Sequence, residues 1–423
     1  MLSLQFIRKN QDMVLDALKS KKVILNLETI LEIDTERRDL IRNVDDLKAK
    51  RNKVSQLISI KKKNNENSDE EIKNMRSVSE NIKRLDDKLK KKLKKLNSLL
   101  LYIPNIFHNS VPSGLSEENN ILVREWGKKP DQNKDYKDHV HLCDKLNLTD
   151  FSRASKMSGS AFPLYTNLGA KLERSLINFM LDYHIKQHGY SELMPPFLTN
   201  REATTTTGQL PKLEDDMYYI ESDDLFCIPT AEVPVTNMYA NEILRQDDLP
   251  LKHVAYSACF RREAGSYGKD TRGLLRVHQF NKVEMVNFVV PSQSYEFLEK
   301  LTKDAEDILQ ELNLHYRVIS LCKGDISFAA AKCYDIEVWS PGEQKYLEVS
   351  SCSNFESFQA RRGNIKYRCN KDQKVHFVHT LNGSGLATPR LMVALLETYQ
   401  NDDGSISIPK VLQPYMGIDV IKK

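Results

Sequence analysis

Residues 1–100 contain neither glycine nor proline, so nothing in them punctuates a helix. Leu40, Val44, Leu47, Val54 and Ile58 follow a heptad repeat in which Arg51 takes one seam position. A second run, Ile82, Leu85, Leu89, Leu93, Leu96 and Leu100, again steps by three or four. The segment between them, KKKNNENSDEE at 61–71, has no apolar side chain. This pattern predicts two long helices joined by a polar tip, an antiparallel coiled coil over 27–100. Each seam is narrow, so the pair should bury little besides itself and project as an arm rather than join a bundle. From Lys83 to Lys95 there are eight basic residues against Asp86 and Asp87. A charge run usually marks a solvated helix face. On a projecting arm it also suits the phosphates of an RNA recognised by shape.

The pattern changes at Ile103-Pro104-Asn105, which divides the chain into an N-terminal helical domain, 1–104, and a second domain, 105–423. Residues 105–160 read as a polar connector. A helix is expected at 168–187, where Leu168, Leu172, Leu176, Phe179 and Met180 share a face. Strand-like runs follow at 217–220, 225–228, 253–260, 276–290, 315–320, 334–339 and 345–351, with a last helix at 388–400. Many strands with few helices between them predict an α+β domain, a mostly antiparallel sheet flanked by helices.

No run of 18 apolar residues occurs, so no membrane span is expected. The first residues lack the apolar stretch of a signal peptide, and a cytoplasmic protein is expected. Seven scattered cysteines without a CxxC pair read as reduced, mostly structural thiols. No His/Cys cluster has the spacing of a structural zinc site.

The chemistry concentrates in residues 259–286, CFRREAGSYGKDTRGLLRVHQFNKVEMV. Alternating apolar ends enclose a loop with Gly265, Gly268 and Gly273, the pattern of a long hairpin. Arg261, Arg262, Arg272 and Arg276 fall within it, beside Glu263. Arginine's planar fork grips phosphate or carboxylate through two parallel bonds and stays charged at neutral pH. Alternation places Arg261 and Glu263 on one face, and Arg276, Phe280 and Glu284 on the same-parity face of the returning strand. A nucleobase stacked on Phe280, with arginines on its phosphates, would use that combination. Cys259 and Cys352 have no paired base nearby and read as packing residues. His278 reads as a structural hydrogen-bonding histidine.

PTAEVPVTN at 229–237, LEVSSCSNFESFQARR at 347–362 and HTLNGSGLATPRLMVALLE at 379–397 join that hairpin. Together these strings resemble the signature segments of seryl-tRNA synthetases, class II aminoacyl-tRNA synthetases, over essentially the whole chain. The resemblance implies three class II motifs: the helix at 168–187 with the strand ending in Pro196, building a homodimer interface; the hairpin; and the stretch from Leu381 carrying Arg390. It implies serine plus ATP giving seryl-adenylate, then transfer to tRNA(Ser), and to tRNA(Sec) where that pathway exists. Arg261 should hold the α-phosphate, Glu263 the adenine amine, and Arg276 and Arg390 the outer phosphates. Phe280 and Arg390 should sandwich the adenine, with Arg262, Val277, Val349 and Ser350 completing the ATP site. Glu348 and Ser351 should ligate Mg²⁺. Thr230, Ala231, Glu232, Glu284, Asn382 and Ser384 should form the serine pocket. Three positions depart from the family pattern: Arg262 where serine is common, Ala161 where arginine is, and Thr388-Pro389 before Arg390, the last bearing on how Arg390 is presented. Two rival readings are a ligase charging a carrier protein, which would need no basic arm, and a silent paralogue that binds RNA, which would have lost motif arginines.

Overall fold

The structure is a computed structural model that describes residues 1–131, 134–264 and 272–423. Gly265 and Gly268 of the hairpin loop lie outside the described residues. The chain divides into two compact units, Met1–Pro104 and Asn105–Lys423.

The first unit is entirely helical: Leu4–Lys9, Gln11–Ser20, Leu27–Lys63 and Asp69–Leu100. Asn26 caps the third helix by accepting from the backbone N–H groups of Glu28 and Thr29, supplying partners that a helix start lacks. The two long helices run antiparallel, as their paired side chains show: Lys61 meets Glu71, Ser55 meets Met75, Lys48 meets Asp86 and Lys92 meets Glu36. Val44, Ile58, Ile82, Leu96 and Leu100 form the buried seam. Leu93 faces solvent instead, so the seam is narrower than its sequence pattern. Asp34 is fully buried, and Arg8, Arg37 and Arg38 surround it. Burial alone would raise its pKa, but the bonds from Arg37 and Arg8 outweigh that and hold it below the usual value.

The second unit is built on an eight-stranded sheet. Its order is Ile121–Trp126, Tyr316–Ser320, Lys332–Ser340, Lys345–Asn354, His379–Ala387, Gln279–Val289, Leu251–Phe260 and Ser191–Leu193. Every neighbour pair is antiparallel except the last, which is parallel. Helices Asn167–Lys186, Ser294–Glu311 and Thr388–Thr398 share one core with it, through Leu172, Leu176, Leu301, Ile308 and Leu395.

Four expectations change. Residues 105–160 are not only a connector: they hold the edge strand Ile121–Trp126 and helices His139–Leu146 and Phe151–Ser158. Leu142, Leu146 and Leu148 enter the main core, and their dispersal among polar residues hid that burial. The runs at 217–220 and 225–228 join Leu198–Asn200 in a separate three-stranded sheet. The returning hairpin strand begins at Gln279 rather than 276, so Arg276 is presented by irregular backbone. The motif-one strand ends at Leu193, short of Pro196.

Glu173, buried in helix Asn167–Lys186, ties three elements together. Its Oε1 accepts from Asn281 Nδ2 at 2.8 Å and from the Thr388 hydroxyl, while Oε2 has no partner among the described residues. Burial pushes its pKa up to about 7 against those two bonds. A carboxyl with a raised folded pKa gives stability that is present below its unfolded pKa and lost as pH rises through the folded one. Glu173→Gln should therefore flatten the stability profile from pH 5 to pH 8. By urea unfolding, the wild type should lose on the order of 3 kcal/mol relative to the variant across that range.

Candidate active site

One cavity of about 530 Å³ opens on the sheet face formed by the three strands Gln279–Val289, His379–Ala387 and Lys345–Asn354, and the hairpin closes one side. Arg261, Glu263, Arg276, Val277 and Phe280 line its hairpin end. Thr230, Glu232, Glu284, Asn382 and Ser384 line its enclosed end, and Glu348, Val349, Ser351 and Arg390 complete the wall. Residues spread over 160 positions of sequence thus converge on one space.

Three expected residues do not line it. Arg262 is exposed, and its backbone N–H donates to the Asp216 carbonyl at 2.9 Å. Ala231 is fully buried behind the wall. Ser350 is also buried and donates to the Ser384 carbonyl at 2.6 Å, so it braces a pocket strand rather than lining the pocket.

Local geometry explains the convergence. In a regular strand, 348 and 351 would face opposite sides. A bulge lies between Ile336–Ser350 and Glu337–Glu348 in the pairing with Lys332–Ser340, and such bulges re-aim side chains. Both Glu348 and Ser351 consequently reach the cavity. Pro389 sits in the first turn of helix Thr388–Thr398, where its missing N–H costs nothing. Arg390 follows it and still reaches the wall, donating from Nε to the Leu275 carbonyl at 3.2 Å and from Nη1 to the Glu348 carbonyl at 3.1 Å. On the hairpin, the Arg261 guanidinium lies 5.2 Å from the Phe280 ring centre. Arg276 pairs with Glu263. His278 Nδ1 donates to the Arg261 carbonyl at 3.0 Å, and its own carbonyl accepts from Arg261 N–H at 2.9 Å. It therefore orders Arg261, a structural role.

The enclosed end is charged and buried. Lys282 Nζ lies 2.7 Å from Glu284 Oε2, with only 8% and 3% of the two side chains exposed. Ser384 Oγ donates to the same Oε2 at 3.3 Å. Burial raises the Glu232 pKa to about 7, and the charge of Glu284 adds to that rise. Lys282, which lines the cavity, was absent from the sequence expectations. Its signal was parity, since 280, 282 and 284 alternate onto one face. Cys259 and Cys352 are fully buried, and burial pushes the Cys352 thiol up to about 12. Neither is poised as a nucleophile.

A separate cluster of metal-ligand type, His139 with Glu343 and Glu397, lies behind the hairpin. The Leu274 N–H donates to His139 Nε2 at 3.2 Å, while Nδ1 lies 3.3 and 3.4 Å from the two carboxylates and has no hydrogen-bond partner among the described residues.

Among known proteins, the profile described as the seryl-tRNA synthetase N-terminal domain matches residues 1–107. The profile of the tRNA synthetase class II core domain (G, H, P, S and T) matches residues 214–399. The serine–tRNA ligase of Carboxydothermus hydrogenoformans is 53% identical over 423 residues, covering all of both chains. The chain belongs to the seryl-tRNA synthetase family. Solved family structures agree. The Pyrococcus horikoshii seryl-tRNA synthetase complexed with ATP aligns with a TM-score of 0.93 at 39% identity, over 100% of this chain and 99% of that one. The cytoplasmic serine–tRNA ligase of Naegleria fowleri, in complex with AMP, aligns at 0.88 and 27%, with the same coverage. Family membership makes the protein an ATP-dependent ligase of class II. Among the described residues, no helix is long and apolar enough to cross a membrane.

Removing one partner of a buried ion pair leaves an uncompensated charge and costs about 3–5 kcal/mol. Lys282→Met should lower unfolding stability at pH 7 by that order, read from urea midpoints. A loss below about 1 kcal/mol would mean the pair is solvated.

Proposed function

We propose that the protein activates L-serine with ATP to seryl-adenylate and then transfers the seryl group to the 3′ end of tRNA(Ser). The observation that carries this reading is the pocket's enclosed end, where Glu284, Ser384 and Glu232 converge on a space next to the hairpin arginines. In this reading Glu232 meets the substrate ammonium, and Glu284 with Ser384 meets the hydroxyl, with Thr230 and Asn382 closing the sides. Alanine would deprive Glu284 and Ser384 of the partner that the serine hydroxyl supplies, the basis of strong discrimination.

Activation joins two anions, since the serine carboxylate attacks an α-phosphorus that is itself negative. Arg261 neutralises charge at that phosphorus, and Arg276 and Arg390 hold the outer phosphates. Phe280 and Arg390 hold the adenine between them, with Glu263 at its exocyclic amine. Strand backbone fixes these groups in place, so orientation carries much of the rate. The carboxylate is already ionised, and the step needs no enzyme nucleophile or dedicated base.

Glu348 and Ser351 offer a carboxylate and a hydroxyl, the hard oxygen donors Mg²⁺ prefers. Asp335, opposite Ser351 in register, has its pKa pushed well up by burial and by the charge of Glu348, a repulsion that a cation would relieve. Those residues would hold Mg²⁺, which supplies charge neutralisation at the phosphates when bound.

The long helical pair, basic between Lys83 and Lys95, is proposed to grip the tRNA through its phosphates. In cells with a selenocysteine pathway, tRNA(Sec) would be a second acceptor. Helix Asn167–Lys186 and strand Ser191–Leu193 are proposed as the homodimer interface. We place the reaction in the cytoplasm, consistent with seven free cysteines.

Serine-dependent exchange of pyrophosphate into ATP tests the activation step, and aminoacylation of tRNA(Ser) tests the transfer. Deleting residues 35–98 should leave exchange within a few-fold of wild type and abolish charging. No exchange with serine overturns the proposed activity, and charging that survives the deletion overturns the role of the arm.

A further inference from the structure

Glu232 is not held by the serine pocket alone. Behind it lies Gln359, from helix Phe358–Arg362, of which only 1% is exposed. Gln359 Nε2 donates to Glu232 Oε1 at 2.6 Å and to the Thr207 carbonyl at 3.2 Å. Its Oε1 accepts from the Thr380 hydroxyl at 2.7 Å, and Thr380 is fully buried. A carbonyl only accepts hydrogen bonds, so the amide nitrogen must face Thr207, and the amide cannot be turned around. Gln359 is thereby fixed as a donor aimed at Glu232.

The charged and polar neighbours of Glu232 are few and named. Glu284 opposes its ionisation, while Gln359, Lys282 and Asn382 favour it against the penalty of burial. Lys282 neutralises Glu284 by direct contact. No full positive charge touches Glu232 itself in the described contacts. Its side-chain bonds run to Gln359, at 2.6 Å, and to Asn382.

We propose that Gln359 is a positioning residue for amino-acid recognition, acting through Glu232 by holding that carboxylate ionised and aimed at the substrate ammonium. The inference rests on the serine-activation reading and adds a residue that never touches substrate. A donated hydrogen bond stabilises the carboxylate more than the carboxylic acid. Removing the donor should raise the proton affinity of Glu232, whose pKa already stands at about 7. The acid limb of the reaction should then move to higher pH. ATP binds at the other end of the cavity and should not respond.

The test is pyrophosphate exchange with Gln359→Met, which keeps the volume and removes both donors. Thr380→Val serves as the milder variant, removing only the acceptor's partner. Serine and ATP are each varied from pH 6.5 to pH 8.5. For Gln359→Met, kcat/KM for serine should fall roughly eightfold at pH 6.5, the effect of a shift of one pKa unit, and recover most of the loss by pH 8.5. KM for ATP should stay within about twofold of wild type. Thr380→Val should show the same pH-dependent defect at smaller amplitude. A defect of equal size at every pH, or one shared equally by ATP, overturns the proposal, because a merely structural role predicts those patterns. Wild-type serine activity in the same assay separates this outcome from failure of the activity itself: without it, the serine reading falls first and takes this inference with it.

Discussion

The active-site wall depends on one backbone ladder, the antiparallel pairing of Gln279–Val289 with His379–Ala387 and of that strand with Lys345–Asn354. Neighbouring strands sit under 5 Å apart, so register alone decides which side chains can meet. Here it sets Ser384 opposite Glu284 and Gly383 opposite both Met285 and Cys352. A slip by one residue would turn Glu284 and Ser384 away from the cavity and bring Met285, which packs in the core, round to face it. The irregularities in the ladder also matter, because the bulge at Glu348 brings a strand-edge carboxylate onto the same wall as Ser351.

On that scaffold the charges are arranged to hold one another. Arg276 is paired with Glu263, Lys282 with Glu284, and Arg390 leans on the Glu348 carbonyl. These three cations are thus already oriented by the protein. Preorganised charge in a water-poor site acts without reorganisation during the reaction. The same enclosure raises the proton affinity of Glu232, so the ammonium recognition proposed for it depends on the groups that keep it ionised.

Much of this was legible in the chain. The absence of glycine and proline through residue 100 declared the long helices, and the arginine-rich hairpin declared phosphate chemistry. The glycine-rich strand His379–Ala387 was harder to read, because its composition argues against a strand. Helices press directly on it: a Cβ on Gly383 would come within 2.4 Å of Leu301 Cδ2, and one on Gly385 within 2.4 Å of His184 Nε2. Tertiary packing, not local preference, explains those glycines. Leu142, Leu146 and Leu148 were hidden for a similar reason, since a few apolar residues in a polar stretch do not reveal which core they join. Ser350 and Gln359 act through neighbours distant in sequence, Ser384 and Glu232. No spacing pattern within one segment encodes such contacts. Alternation carried the hairpin assignments only as far as the strands run, and Arg276 reaches the cavity from irregular backbone beyond them.

The central claim is that the buried polar cluster at Glu284, Ser384 and Glu232 reads serine while the hairpin reads the nucleotide. Calorimetric binding of two non-hydrolysable adenylate analogues, the sulfamoyl adenosines of serine and of alanine, tests it most directly. They share every nucleotide contact and differ by one hydroxyl. The account predicts that the seryl analogue binds tighter by about 10⁴-fold, the discrimination expected of a site built to hydrogen-bond a substrate hydroxyl. Equal affinity for the two would contradict it.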